Sequence, residues 1–202
     1  MRIRFMGYIY RSLFPAVAIV LLYACGARRS GTDTLQQWIG SSVTLPDDFV
    51  VHADGRDIVW TAFDTTTYAR MVIYYNAEGC TPCKLKELLT WESLITAYDQ
   101  AKHTRFAFIL NADNATPQEL DQIAYSMRFT HPILIDTAYS FERSNPQLPH
   151  ETIFHVFLLD RNNRVVLAGS PIGNPKMWEL YKNTIARLET SEGIIPKEEA
   201  EQ

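Results

Sequence analysis

The sequence predicts an α/β sandwich with a mixed central sheet and helices on both faces. Three observations predict it. Short apolar runs rich in β-branched and aromatic residues alternate with helical patterns between residues 68 and 190. A hairpin and a capped helix end that alternation. The composition of the 202 residues, 47% hydrophobic and 21% charged, is that of a globular chain. It excludes collagen-like, low-complexity and largely disordered classes.

Val43–Leu45 reads as a short strand stopped by Pro46. Phe49–Val51 and Ile58–Thr61 flank Asp54-Gly55, a hairpin turn signal. Met71–Tyr75 is a buried strand. Leu85, Leu88, Trp91, Ile95 and Tyr98 recur on one helical face. Arg105–Leu110 is a second strand. Thr116-Pro117-Gln118-Glu119 is a capping box opening a helix whose Leu120, Ile123, Ala124 and Met127 face inward. Ile133–Ile135 is a third strand, and a polar, proline-bearing loop runs from Asp136 to His150. Phe154–Leu159 and Val165–Ala168 are strands joined at Asp160-Arg161-Asn162-Asn163. Asn174 and Pro175 start a last helix, with Met177, Leu180, Tyr181, Thr184, Ile185 and Leu188 on its apolar face.

The N-terminus reads as an address. Arg2, Arg4 and Arg11 precede a 12-residue apolar stretch, Leu13–Ala24, with no acid before Asp33. This is the layout of a secretory signal peptide. The stretch is short of the ~18 residues expected of a spanning helix. Leu22-Tyr23-Ala24-Cys25 resembles the lipobox of bacterial lipoproteins, although Tyr23 is bulky for it. The resemblance implies lipidation of Cys25 and a place on the periplasmic side of a bacterial membrane. Gly26 rather than Asp after that cysteine favours the outer membrane, by analogy with lipoprotein sorting. The expected organisation is a signal over 1–24, a tether over 25–36, a small β extension over 37–67, the main domain over 68–190 and a loose acidic tail over 191–202.

Formal net charge is −4 for the whole chain. Without the three signal arginines, 16 basic residues face 23 acidic ones, a net of −7. That balance argues against a nucleic-acid partner, for which a basic surface supplies most of the affinity. With Cys25 lipidated, Cys80 and Cys83 are the remaining thiols, in a compartment where disulfides persist.

Cys80-Thr81-Pro82-Cys83 stands between the Met71–Tyr75 strand and the helix after it. A cysteine at a helix N-terminus faces unpaired N–H groups and the positive end of the dipole. Both favour thiolate, the nucleophile of disulfide exchange, over thiol. The second cysteine, one turn on, can reach back to the first. Pro82 suits a first helical turn because it lacks an N–H.

With strand, Cys-x-x-Cys turn, helix and later hairpin, the chain over 68–190 resembles the thioredoxin-like superfamily, in particular membrane-tethered extracytoplasmic thiol–disulfide oxidoreductases and redoxins of bacteria. The resemblance implies a three-layer thioredoxin-like sandwich. It implies that Cys80 is the exposed attacking thiol and Cys83 the buried resolving thiol, with Thr81 and Pro82 forming the active turn. The partners it implies are a protein thiol or disulfide substrate, a redox donor or acceptor protein, and a membrane through the lipid. No cofactor is expected. Two departures stand out. Gly79, preceded by Glu78, replaces the usual tryptophan before the first cysteine. Phe154 falls where the family places a cis-proline, so Phe154, His155 or Val156 is expected to face the cysteine pair.

Other roles for the cysteine pair fit less well. Structural zinc takes four ligands, and His52, His103, His131, His150 and His155 show no paired spacing to complete two cysteines. A structural disulfide in so short a loop would be strained and stabilise little. A peroxiredoxin site needs Pro-x-x-x-Thr-x-x-Cys, whereas here Thr81 follows Cys80 and Pro82 divides the pair. The alternative is a copper-binding chaperone using Cys80, Cys83 and His155, since soft thiolates with imidazole suit Cu(I). Glu78 is either a proton acceptor or a solvated side chain. Tyr139, Phe141 and Phe154 either rim the active turn or pack.

Overall fold

A computed structural model describes residues 31–46, 49–53, 56–57, 66–78, 81–96, 103–111, 129 and 131–195, with 50–53, 56–57 and 81–85 described by backbone alone. The chain divides into two units, 1–34 and 35–202. Of the first, only Gly31–Thr34 is described, as the opening turn of helix α1 (Gly31–Trp38). The second unit carries the sheet.

Seven strands form that sheet: β1 (Val50–Ala53), β2 (Arg56–Asp57), β3 (Ala69–Tyr75), β4 (Thr104–Asn111), β5 (Ile133–Asp136), β6 (Val156–Leu159) and β7 (Val165–Ala168), in the order β2-β1-β5-β4-β3-β6-β7. β3, β4 and β5 run parallel, and β6, β7, β1 and β2 join antiparallel at the two sides. The sheet is therefore mixed. The hairpin at Asp54-Gly55 is formed by β1 and β2, pairing His52 with Asp57 and Ala53 with Arg56. β1 pairs directly with β5, so the hairpin lengthens the central sheet. Ile58–Thr61, the expected return strand, lies outside the described residues, as does the helix expected from Thr116.

Alternation along each strand builds two cores. Met71 and Ile73 of β3, Phe108 and Leu110 of β4, and Leu158 of β6 face one side. There they meet Leu88 and Trp91 of α2 (Thr81–Thr96) and Tyr181, Ile185 and Leu188 of α4 (Pro175–Thr190). Trp91 stands edge-on to Phe108, with ring centroids 6.1 Å apart. Val72, Tyr74, Ala107, Ile109, Phe157 and Leu159 face the other side, against Trp38, Val43, Leu45 and Phe141. Trp38 meets Phe157 edge-on at 5.1 Å. Apolar side chains on both faces explain why the strands read as continuous apolar runs.

Several boundaries differ from expectation. The segment expected to be a tether is helical from Gly31, because Leu35 and Trp38 give it an apolar face to bury. Val43–Leu45 is no strand: a single bridge, Ser42 to Arg164, touches the β7 side, while Val43 and Leu45 pack inward. Phe154 does not begin β6 but ends a 3-10 turn, Thr152–Phe154. The loop from Asp136 contains a short helix, α3 (Ser140–Ser144). In α4, Trp178 is buried where Leu180 was expected; Leu180 is exposed. The Asn174 carboxamide does cap α4, accepting from the Met177 N–H at 3.1 Å, with Pro175 at its start.

The start of the expected loose tail is held in place. Gly193 N–H donates to Leu188 O and Gly193 O accepts from Arg161 N–H, both within 2.9 Å. Its φ of +87° and the 2.7 Å that would separate an added Cβ from Arg161 Cβ both require glycine there. The Asp160 hairpin is closed by its own carboxylate, which accepts from the N–H groups of Asn162 and Arg164, each at 2.8 Å.

Candidate active site

The C-terminal ends of β3, β4 and β5 form one edge of the sheet, the edge where open α/β sheets place ligands. β3 ends at Tyr75, and Asn76, Ala77 and Glu78 continue from it. α2 starts at Thr81 and contains Pro82 and Cys83 as its second and third residues. The cysteine stretch thus joins an inner parallel strand to a helix N-terminus, as the sequence predicts. Gly79 and Cys80 lie outside the described residues, as does Cys25, and Thr81, Pro82 and Cys83 are placed by backbone alone.

A cleft of about 350 Å³ opens beside this junction. Glu78 and Asn76 line it from the end of β3, Glu142 and Asn145 from α3 and its C-cap, and Pro149 and His155 from the segment leading into β6. Two of the sequence-predicted residues, Glu78 and His155, are therefore brought to one cavity. Phe154 is not among the lining residues; it is half-buried against the core face that holds Tyr74. Phe141 is fully buried in that core and so is packing rather than rim. None of the peptide bonds among the described residues is cis.

Sequence reasoning missed Glu142, because the loop from Asp136 carried no helical signal. Asp136, only 1% exposed, creates the helix. Its Oδ1 accepts from Ala138 N–H at 3.2 Å, Ser140 N–H at 2.9 Å and the Ser140 hydroxyl at 2.8 Å; its Oδ2 accepts from Phe141 N–H at 2.9 Å. These bonds cap α3 and offset the left-handed backbone of Tyr139, φ 54°. Asn145 fastens the other end: its carboxamide donates to Phe141 O and Thr44 O and accepts from Thr44 N–H, all at 2.8 Å. Glu142 is fixed from below, where the Tyr74 hydroxyl donates to its Oε1 at 2.7 Å. Burial, then the bond to Glu142, raises the Tyr74 phenol well above its ordinary range, so it stays a donor.

His155 is 5% exposed. Its Nε2 lies 2.8 Å from the Pro149 carbonyl oxygen. A carbonyl only accepts, so Nε2 carries the proton, and in the neutral ring Nδ1 holds the lone pair. Its ring lies 5.3 Å from that of Tyr74. Burial lowers the imidazole pKa, overriding the Pro149 bond and the Glu142 and Glu78 carboxylates, which favour the charged form. Among the described residues no group of three or more His, Cys, Asp or Glu could hold a metal.

A pH dependence follows. The unfolded chain takes up a proton on His155 near the ordinary value of about 6.5, whereas the folded chain resists it until lower pH. Below about pH 6.5 the unfolded state then binds more protons, and stability falls with acidification. His131, also lowered by burial, acts in the same direction. Urea denaturation between pH 5 and 7.5 is expected to show this slope. His155→Gln, whose Nε2 can still donate to Pro149, should flatten it; an unchanged slope would assign the dependence to other groups.

No protein-family model matches the chain, and no curated protein matches it by sequence. Solved structures do. A proposed thiol–disulfide oxidoreductase from Bacteroides vulgatus superposes with TM-score 0.51 at 15% identity, over 71% of this chain and 90% of that one. A proposed thiol:disulfide interchange protein DsbE from Chlorobium tepidum gives 0.50 at 16%, over 74% and 97%. Peroxiredoxin Q from Xanthomonas campestris gives 0.49 at 14%, over 72% and 96%. At such identities the likeness concerns the fold alone, and the fold of this chain is thioredoxin-like.

Proposed function

We propose that the chain is an extracytoplasmic thiol–disulfide oxidoreductase working through Cys80 and Cys83. One observation carries the reading: the Cys-Thr-Pro-Cys stretch joins the end of an inner parallel strand to a helix N-terminus, with Cys83 in the first helical turn. Helix N–H groups there favour a thiolate. The Cys80 thiolate attacks one sulfur of a substrate disulfide, forms a mixed disulfide and expels the other substrate sulfur as thiolate, which takes a proton. The Cys83 thiolate then attacks the Cys80 sulfur and releases the second substrate thiol. Two electrons have passed to the substrate, and Cys80 and Cys83 are left as a disulfide. A redox partner protein resets the pair, and the same steps reversed oxidise a substrate dithiol. The location rests on the charged and apolar start of the chain and on the lipobox-like run ending at Cys25, which would anchor the protein on the periplasmic side of a membrane, the outer one favoured.

A redox titration tests the reading. The Cys25→Ser chain is equilibrated in dithiol buffers of graded potential, and free thiols are counted by the mass added on alkylation. A reversible two-electron step between about −300 and −100 mV is expected, and its midpoint distinguishes reductant from oxidant. A pair that never forms a disulfide, or that stays oxidised below this window, would refute the assignment.

A further inference from the structure

The cleft at the end of β3 has a charge character that disulfide exchange does not require. Two carboxylates line it, Glu78 and Glu142, with His150 and His155, and among the described lining residues there is no lysine or arginine. Chain connectivity keeps Cα of Cys80 within two residue steps of Cα of Glu78, about 7 Å. Glu78, which lines the cleft, is thus two residues from Cys80 along the chain.

The cleft is built to present acceptors. Glu142 is held by the Tyr74 hydroxyl at Oε1, which leaves Oε2 for an incoming donor. Tyr74 is itself buried, so this carboxylate is fixed in advance rather than ordered on binding. His155, 5% exposed, borders the same space with its Nε2 proton committed to Pro149 O. Its Nδ1 takes no hydrogen bond among the described residues, and a neutral ring offers a lone pair there rather than a positive charge. Leu148 and Pro149 add an apolar wall, against which an aliphatic stem can lie while its charged head meets carboxylates.

We infer that this cleft seats a lysine or arginine side chain of the substrate protein, next to the substrate cysteine in sequence. The substrate class is thus a protein disulfide flanked by a basic residue. This inference rests on the oxidoreductase reading above and adds to it which disulfides are chosen. Charge complementarity of this kind acts mainly on partner choice and association rate.

The test uses three short peptides, each closed by one disulfide and differing at the residue beside the attacked cysteine: arginine, citrulline or glutamate. Citrulline keeps the shape and removes the charge. The reduced Cys25→Ser chain is mixed with each, and the rate of peptide opening is followed. The arginine peptide is expected to react about tenfold faster than the citrulline peptide, the scale that two partly exposed carboxylates impose on one cation. Glutamate should be slower still. The arginine-to-citrulline ratio should fall to about twofold in Glu142→Gln combined with Glu78→Gln, and should shrink as salt rises. Glutamine at 142 still accepts from Tyr74, so the wall is kept while its charge is lost. Glu179→Gln, on the exposed face of α4, should leave the ratio unchanged. Equal rates for the three peptides, or a ratio that survives the double change, overturn this inference alone. Failure to open any of the peptides overturns the oxidoreductase reading and this inference with it.

Discussion

Replacing Cys80 by serine is expected to lower disulfide exchange by at least about a thousandfold, to the background of the assay. A serine hydroxyl at neutral pH is almost wholly protonated, and an alkoxide has no facile route to a stable bond with sulfur. The helix N-terminus that favours a thiolate cannot rescue it, because its contribution is a shift of a few units in a thiol pKa. Cys83→Ser should behave differently. The first attack survives, but the mixed disulfide has no internal resolving thiol and accumulates as a covalent adduct on Cys80. Mass spectrometry after mixing with a peptide disulfide would show the adduct in Cys83→Ser and none in Cys80→Ser. The opposite pattern would exchange the roles of the two cysteines. Equal turnover in Cys80→Ser and in the unchanged chain would remove the proposed chemistry.

The second large effect is expected at Asp136. Asp136→Ala removes the acceptors of four hydrogen bonds from a side chain 1% exposed to solvent. Hydrogen bonds to charged groups contribute about 1.5–3 kcal/mol each, and buried donors left unpaired cost about 1–3 kcal/mol. These contributions are not additive within one network. We expect a loss of about 4 kcal/mol, at the upper end for a single substitution. Asp136→Asn should cost about half as much. Its oxygen can keep the Ser140 bonds, but its NH₂ group would point a donor at the Phe141 N–H. Denaturant titration of the two variants gives the ordering, and an alanine variant within about 1 kcal/mol of the unchanged chain would disprove the capping account. Because α3 carries Glu142, both changes should also loosen one wall of the cleft.

The central strands were legible in the sequence because their physics is local. Met71–Tyr75 and Arg105–Leu110 are apolar on both faces, and a strand covered on both faces needs no tertiary information to be recognised. The same holds for Asn174-Pro175, a cap followed by a residue that fits only the first turn, and for the Asp160 turn, whose carboxylate bonds residues two and four positions on. The cysteine spacing, with a strand before it and a helix after it, was equally plain. Leu180 and Trp178 show where periodicity stops helping: both fit an apolar stripe, and which one is buried depends on how α4 is rotated over the sheet.

The cleft was only half legible. Glu78 and His155 drew notice by their position relative to Cys80 and to the expected cis-proline. Glu142 drew none, because α3 is a five-residue helix made by Asp136, a carboxylate that in sequence reads as the start of a polar loop. Nor does anything near Tyr74 in sequence say that its hydroxyl will hold a glutamate 68 positions away. By itself, then, the sequence determined the sheet's inner strands, the place of the cysteine pair at a strand-to-helix junction and the caps and turns, all set by interactions within a few residues. The tertiary structure decided that the Asp54-Gly55 hairpin lengthens the central sheet, that the segment after residue 31 is a helix packing Trp38 on Phe157, and that Glu78, Glu142 and His155 share one cavity. Those outcomes depend on surfaces brought together from distant parts of the chain, and contacts of that kind leave no periodic trace along it.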